Sequence, residues 1–200
     1  MKINNFDAVK GNAFIIAEIG NNHNGSYSCA IEMIDQAILA GANCVKFQMR
    51  TLDEVYRQRS IDGSGEDLGT EYVVDLLKRF ELSKEEHKKL SEYCSEKGIT
   101  YLCTPWDSSS LDFLENLSVP AYKVASADLT NIPLIELLIQ TKKPLILSTG
   151  MSTSDEIKFT ARILDAAEAE YVFLHCNRPY PAPVEDINLS WIHELKKIHS

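Results

Sequence analysis

Paired cysteine motifs are missing from this 200-residue sequence: Cys29, Cys44, Cys94, Cys103 and Cys176 are odd in number and form neither a CxxC pair nor a zinc-type spacing. That argues against a disulfide framework and a zinc ribbon and fits a reducing compartment. Neither a leader nor a membrane span is expected at its start, because residues 1–20 carry Asp7 and only one short apolar run, Phe14–Ala17. A cytoplasmic protein is expected. There is no basic run either: 20 Lys and Arg stand against 29 Asp and Glu, the net charge is −9, and the cations are scattered. Nucleic acid is thereby an unsuitable partner. Small anions stay admissible, since a few cations at a pocket mouth outweigh a negative total charge locally. What is present is an ordinary globular balance, 44% hydrophobic and 24% charged, over a length suited to one core.

Short apolar runs recur along the chain with amphipathic stretches between them. Phe14–Gly20, Asn43–Met49, Thr100–Pro105, Ala121–Ser126, Pro144–Gly150 and Tyr171–Cys176 read as strands. Ser28–Ala40, Glu71–Phe80, Lys84–Lys97, Ser109–Leu117, Pro133–Thr141, Ser154–Ala167 and Ser190–Ile198 have helical spacing, and Gly41, Gly98 and Pro144 fall where helices end or strands begin. β/α alternation implies a parallel sheet covered by helices, either open or closed into a barrel. Neither GxGxxG nor GxxxxGK[ST] follows the first strand, so the nucleotide-binding open sheet is disfavoured. The expected fold is α/β of the (β/α)8 barrel type, with residues 1–200 supplying about the first six units. A closed barrel needs eight strands, so the stretch is expected to be the front of a longer chain. Residues 51–70 form a long polar insertion on the side where barrels carry functional loops, suited to covering a substrate or to a solvated connection.

The informative residues are those that interrupt the apolar strands. Side chains alternate along a strand, so Ile16, Glu18 and Gly20 share a face, as do Lys46 and Gln48. Charge placed in this way needs a partner or a ligand, because an unpaired buried ion costs several kcal/mol. A single such residue is more often a paired core ion. Recurrence of Glu18, Lys46, Lys123 and Arg178 at equivalent strand ends, with the hydroxyls of Thr104, Ser126, Ser148 and Thr149, describes an anion pocket instead. Of the five histidines only His23 and His175 fall near strand ends, and no HxxxH or HExxH pair exists, so no metal ligands are assigned within residues 1–200.

IIAEIGNNHNG (Ile15–Gly25), CVKFQMR (Cys44–Arg50), CTPWD (Cys103–Asp107), YKVASADLTNIPLI (Tyr122–Ile135), LILSTGMST (Leu145–Thr153) and LHCNRPYPAP (Leu174–Pro183) together resemble the successive motifs of the N-acetylneuraminate (sialic acid) synthase family, which includes the legionaminic and pseudaminic acid synthases. The resemblance implies condensation of phosphoenolpyruvate with open-chain N-acetylmannosamine or a related 2-acetamido sugar, giving phosphate and a nine-carbon 2-keto acid. It implies that Lys123, Thr104 and Ser126 hold the phosphate and that Lys46 holds the carboxylate. It places Gln48, Asp128 and Tyr180 against the sugar and Glu18 as the catalytic acidic group near the reacting carbons. In such an enzyme C3 of the enolpyruvate attacks the aldehyde, water adds at C2, and phosphate leaves. The family also implies a divalent metal, manganese or magnesium, whose ligands lie beyond residues 1–200, a C-terminal antifreeze-like domain, and a homodimer. Arg178 departs from the small polar residue usual in the family and is expected either to strengthen binding of the phosphoenolpyruvate phosphate or to pair with Asp128 or Glu18, and Asp128 replaces a glutamate found in some members. The alternatives are a synthase that extends arabinose 5-phosphate or erythrose 4-phosphate, and a non-catalytic anion- or sugar-binding module.

Overall fold

Strand and helix alternate in the computed structural model, which describes residues 1–4, 6–7, 13–56, 70–177, 179 and 181–199. The chain divides into two compact units, residues 8–119 and residues 1–7 with 120–200.

In the unit of residues 8–119, β3 (Ile16–Gly20), β4 (Cys44–Met49) and β5 (Thr100–Pro105) form a parallel sheet in that order. β4 is central and almost wholly buried, as a strand covered on both faces should be. Its register sets Lys46 beside Glu18 on one side and Leu102 on the other, and Gln48 beside Thr104. The ladder shifts between Glu18 and Gly20, so β3 bends where it leaves the sheet. Helix α1 (Tyr27–Leu39) starts on the Ser26 hydroxyl, which accepts from Cys29 N, and buries Ala30, Ile34 and Ala37. α2 (Leu52–Val55) opens the polar insertion, of which residues 57–69 lie outside the described residues. α3 (Thr70–Phe80) leads to α4 (Lys84–Lys97), whose capping box pairs Ser83 with Glu86. Asp107 caps α5 (Ser108–Asn116) through Ser110 N at 2.7 Å and holds Thr51 N at 2.6 Å, which ties the end of β5 to the segment after β4.

Phe47 organises the core of this unit. It stacks on Tyr101 at 5.5 Å and meets the rings of His23 and His87. Burying such a ring stabilises the fold by roughly 1.5–3 kcal/mol. His87 Nδ1 and the Tyr101 hydroxyl share a buried hydrogen bond of 2.8 Å.

In the other unit, β6 (Tyr122–Val124), β7 (Leu145–Ser148) and β8 (Tyr171–Leu174) make a second parallel sheet in that order. A 3-10 turn, Ser126–Asp128, follows β6, so Ser126 stands in a turn beyond the strand expected for it. The reason is local: Asp128 N bonds back to Ala125 O and Asn131 N to Asp128 O, both at 3.0 Å, which curls the chain before Asn131 caps α6 (Ile132–Gln140). α7 (Ser154–Ala166) begins with a capping box of Thr153 and Glu156, and α8 (Trp191–Ile198) buries Leu195. Leu145, Leu147, Leu138, Ile157 and Leu164 fill the core. A hairpin of β1 (Lys2–Ile3) and β2 (Phe6–Asp7) belongs to this unit, with Met1 N 3.2 Å from Glu170 Oε1. No helix among the described residues is long and apolar enough to cross a membrane.

Candidate active site

The C-terminal ends of β3, β4 and β5 bring together the polar residues that the sequence singles out. Lys46 Nζ lies 2.6 Å from Glu18 Oε2 and donates to Thr104 Oγ1 at 3.2 Å. The pair is asymmetric: the Lys46 side chain is 6% exposed and that of Glu18 is 49%. The expectation of charge among buried neighbours therefore holds for Lys46, whereas Glu18 faces solvent from the edge of the bent strand. An ammonium has three hydrogens. Among the described residues Glu18 and Thr104 take two of them.

Gly20 makes room for this arrangement. Its φ of +54° is a left-handed conformation, and a Cβ there would lie 3.1 Å from Glu18 Oε1 and 3.3 Å from Gln48 Nε2. Gln48 Oε1 accepts from Arg50 Nη2 at 2.7 Å, and the Arg50 guanidinium sits over Trp106 at 4.8 Å. Arg50, Trp106 and the space at Gly20 are features that the sequence reading passed over. The i, i+2 spacing of Gln48 at the end of the strand and Arg50 just after it was the available signal.

In the second unit Lys123, 8% exposed, donates to Val124 O at 2.7 Å and to Ser148 Oγ at 2.5 Å. Ser126 is partly exposed at the head of the 3-10 turn. Asp128 Oδ1 accepts from Asn131 Nδ2 at 3.2 Å. Thr149 does not offer its hydroxyl hydrogen to a ligand as expected, because it donates to Leu174 O at 2.9 Å. Beside it a Cβ on Gly150 would come within 2.6 Å of Cys176 O, so the backbones after β7 and β8 approach closely. His175 follows β8 and lines a cleft of about 510 Å³ with Ser148, Cys176 and His199. Arg178 and Tyr180 lie outside the described residues.

Several other groups are structural. His23 accepts from Gly25 N at 3.1 Å and packs on Phe47, and burial lowers its pKa. Burial, with the neighbouring His23 second, brings His87 down to about 4. Burial pushes the thiols of Cys94 and Cys103 up to about 12, so neither is a nucleophile at neutral pH. No three His, Cys, Asp or Glu side chains among the described residues converge to hold a metal ion. This donor set does not fit a divalent cation.

Residues 33–200 match the model of the NeuB family. The chain is 34% identical over 188 residues to N-acetylneuraminate-9-phosphate synthase of Homo sapiens, covering 92% of the chain and 52% of the relative. It is 35% identical over 198 residues to N,N'-diacetyllegionaminic acid synthase of Legionella pneumophila, covering 91% and 53%. Among solved structures, the N-acetylneuraminic acid synthetase of Leptospira borgpetersenii in complex with citrate superimposes with a TM-score of 0.82 at 35% identity, covering 94% of this chain and 62% of that one. The chain thus spans about half the length of the curated relatives it matches. Parallel strands with their helices in the expected order, a match over most of the chain and the shared barrel-type α/β fold lead to one statement: the chain belongs to the NeuB family.

Proposed function

We propose that the protein carrying this chain condenses phosphoenolpyruvate with the open-chain form of N-acetylmannosamine or a related 2-acetamido sugar. The observation that carries this reading is the cluster of Glu18, Lys46 and Thr104 at adjacent strand ends, a buried cation next to a solvent-facing carboxylate. Family membership supports it. Lys46 binds the carboxylate of phosphoenolpyruvate, while Thr104, Lys123, Ser126 and Arg178 bind its phosphate. Cations with hydroxyl donors suit an anion rich in acceptors.

In the reaction C3 of the enolpyruvate forms a bond to the aldehyde carbon, whose oxygen takes up a proton. Water adds to the cationic C2, and the C–O bond to phosphate breaks to leave the 2-keto acid. Glu18 stabilises the positive charge that develops at C2 or orients the water, a task for a carboxylate fixed by its lysine. Gln48, Asp128 and Tyr180 bind the sugar. A manganese or magnesium ion, held by residues beyond 1–200, would supply Lewis acidity toward the aldehyde in the whole protein. A homodimer working in the cytoplasm completes the proposal, with a C-terminal antifreeze-like domain beyond residues 1–200.

The test is product formation and phosphate release by the whole protein from phosphoenolpyruvate with each of N-acetylmannosamine, arabinose 5-phosphate and erythrose 4-phosphate. Turnover is expected with the acetamido sugar. Faster turnover with either sugar phosphate, or binding of phosphoenolpyruvate without turnover of any aldose, would overturn the assignment.

A further inference from the structure

Gln48 of β4 and Arg50, the first residue after that strand, are joined by the 2.7 Å bond from Arg50 Nη2 to Gln48 Oε1. A guanidinium has five donors and no acceptor, so the amide atom it touches has to be the oxygen. The amide nitrogen is turned the other way, to within 3.3 Å of the space left by the absent Gly20 Cβ, where Glu18 Oε1 also borders. Arg50 is itself held. Its guanidinium lies over the Trp106 ring at 4.8 Å, and its charge opposes the rise in the pKa of the Glu81 carboxyl. A planar cation on an aromatic face keeps its fork in one orientation.

We infer that Arg50 is a positioning residue that makes Gln48 a donor only, and thereby selects an acyl amide over a free amine on the sugar carbon next to the aldehyde. The inference rests on the function proposed above and names a source of its specificity. An amide free to flip could meet either a donor or an acceptor. Pinned by Arg50, Gln48 offers N–H alone, which suits the carbonyl oxygen of a 2-acetamido group. An unacylated 2-amino sugar is an ammonium at neutral pH and brings donors to a donor, so the Gln48 N–H loses its acceptor even where Glu18 Oε1 draws the ammonium. Sites built to pair one polar group reject its mismatch more strongly than apolar pockets reject a size difference.

The test is Arg50→Met, which keeps length and apolar contact with Trp106 but removes every donor, beside Arg50→Lys, which keeps one. In the whole protein, KM for N-acetylmannosamine should rise about five- to tenfold in Arg50→Met, the scale of one lost hydrogen bond. The preference over mannosamine should shrink by a similar factor, affinity for phosphoenolpyruvate should hold, and Arg50→Lys should recover part of the KM. Equal loss for both sugars, or loss of phosphoenolpyruvate affinity in parallel, would overturn the inference as mere structural damage. The side-chain amide resonances of Gln48, assigned by their disappearance in Gln48→Met, read the positioning without any substrate. They should shift and exchange faster in Arg50→Met, and unchanged signals overturn the inference. Wild-type protein that turns over neither sugar defeats the proposed function instead, and the amide signals alone then decide whether Arg50 positions Gln48.

Discussion

Glu18→Gln tests the centre of the site, because the substitution keeps shape and removes one charge from a pair whose partner is buried. A pair wholly in solvent contributes about 0–1 kcal/mol, and breaking one wholly buried costs about 3–5 kcal/mol. Here Lys46 is 6% exposed and Glu18 49%. The loss should therefore fall between the limits, at about 1–3 kcal/mol, read as a lower urea midpoint with an unchanged slope. Binding should move the other way. Glu18 repels an incoming anion, and two like charges about 4 Å apart in near-aqueous surroundings repel by about 1 kcal/mol, so phosphoenolpyruvate should bind roughly fivefold tighter to the variant. Turnover should fall steeply, since a neutral amide cannot oppose the charge developing at C2. Calorimetric titration and phosphate release on the same preparations separate the three effects. Unchanged apo stability together with weaker binding of phosphoenolpyruvate would refute the reasoning, because Glu18 would then be helping to hold the ligand rather than holding Lys46.

Gly20→Ala should cost about 1–2 kcal/mol from the left-handed backbone alone, and should lower turnover further by pressing on Glu18 Oε1 at 3.1 Å; urea unfolding beside a rate assay checks both. Lys123→Ala should weaken phosphoenolpyruvate binding by about 3 kcal/mol, more than a hundredfold, as truncating a buried charged contact does, and titration giving wild-type affinity would remove Lys123 from the anion site. His87 titrates at about 4 in the fold against 6.5 unfolded. The unfolded chain therefore gains its proton first, and stability is full above about pH 6.5 and falls as pH drops toward 4, by up to roughly 3 kcal/mol. Replacement by Phe should flatten urea midpoints across that window, and an unchanged slope would show that other groups carry it.

The helices and strands were legible because their signals are local. Ser83 with Glu86, Thr153 with Glu156 and Asp107 before Ser110 announce helix starts within a few residues, and the six principal strands are runs of β-branched and large side chains. The strand expected to run to Ser126 stops at Val124, since the hydrogen bonds that end β6 early run between backbone groups that side-chain pattern does not encode. Within the site, Lys46 and Glu18 stood out as charges in apolar strands, and their pairing follows from parallel register. Thr149 looked like a ligand-binding hydroxyl, and only the approach of the next strand shows it bonded to Leu174. The link from Arg50 to Gln48 and Trp106 joins residues 2 and 56 apart in the chain, and its ring contact depends on how β4 and β5 lie side by side. Sequence spacing contains the first distance and not the second.

The N-terminal hairpin has a consequence for synthesis. Residues 1–7 leave the ribosome before the rest of the unit they join, which is completed only by residues 120–200, and the Met1 nitrogen finds its acceptor at Glu170. At about 5–20 residues per second the hairpin waits roughly 10–30 s for that partner to be translated. Residues 8–119 have the time to assemble their own sheet in between, so residues 1–7 are made before that unit and fastened after it.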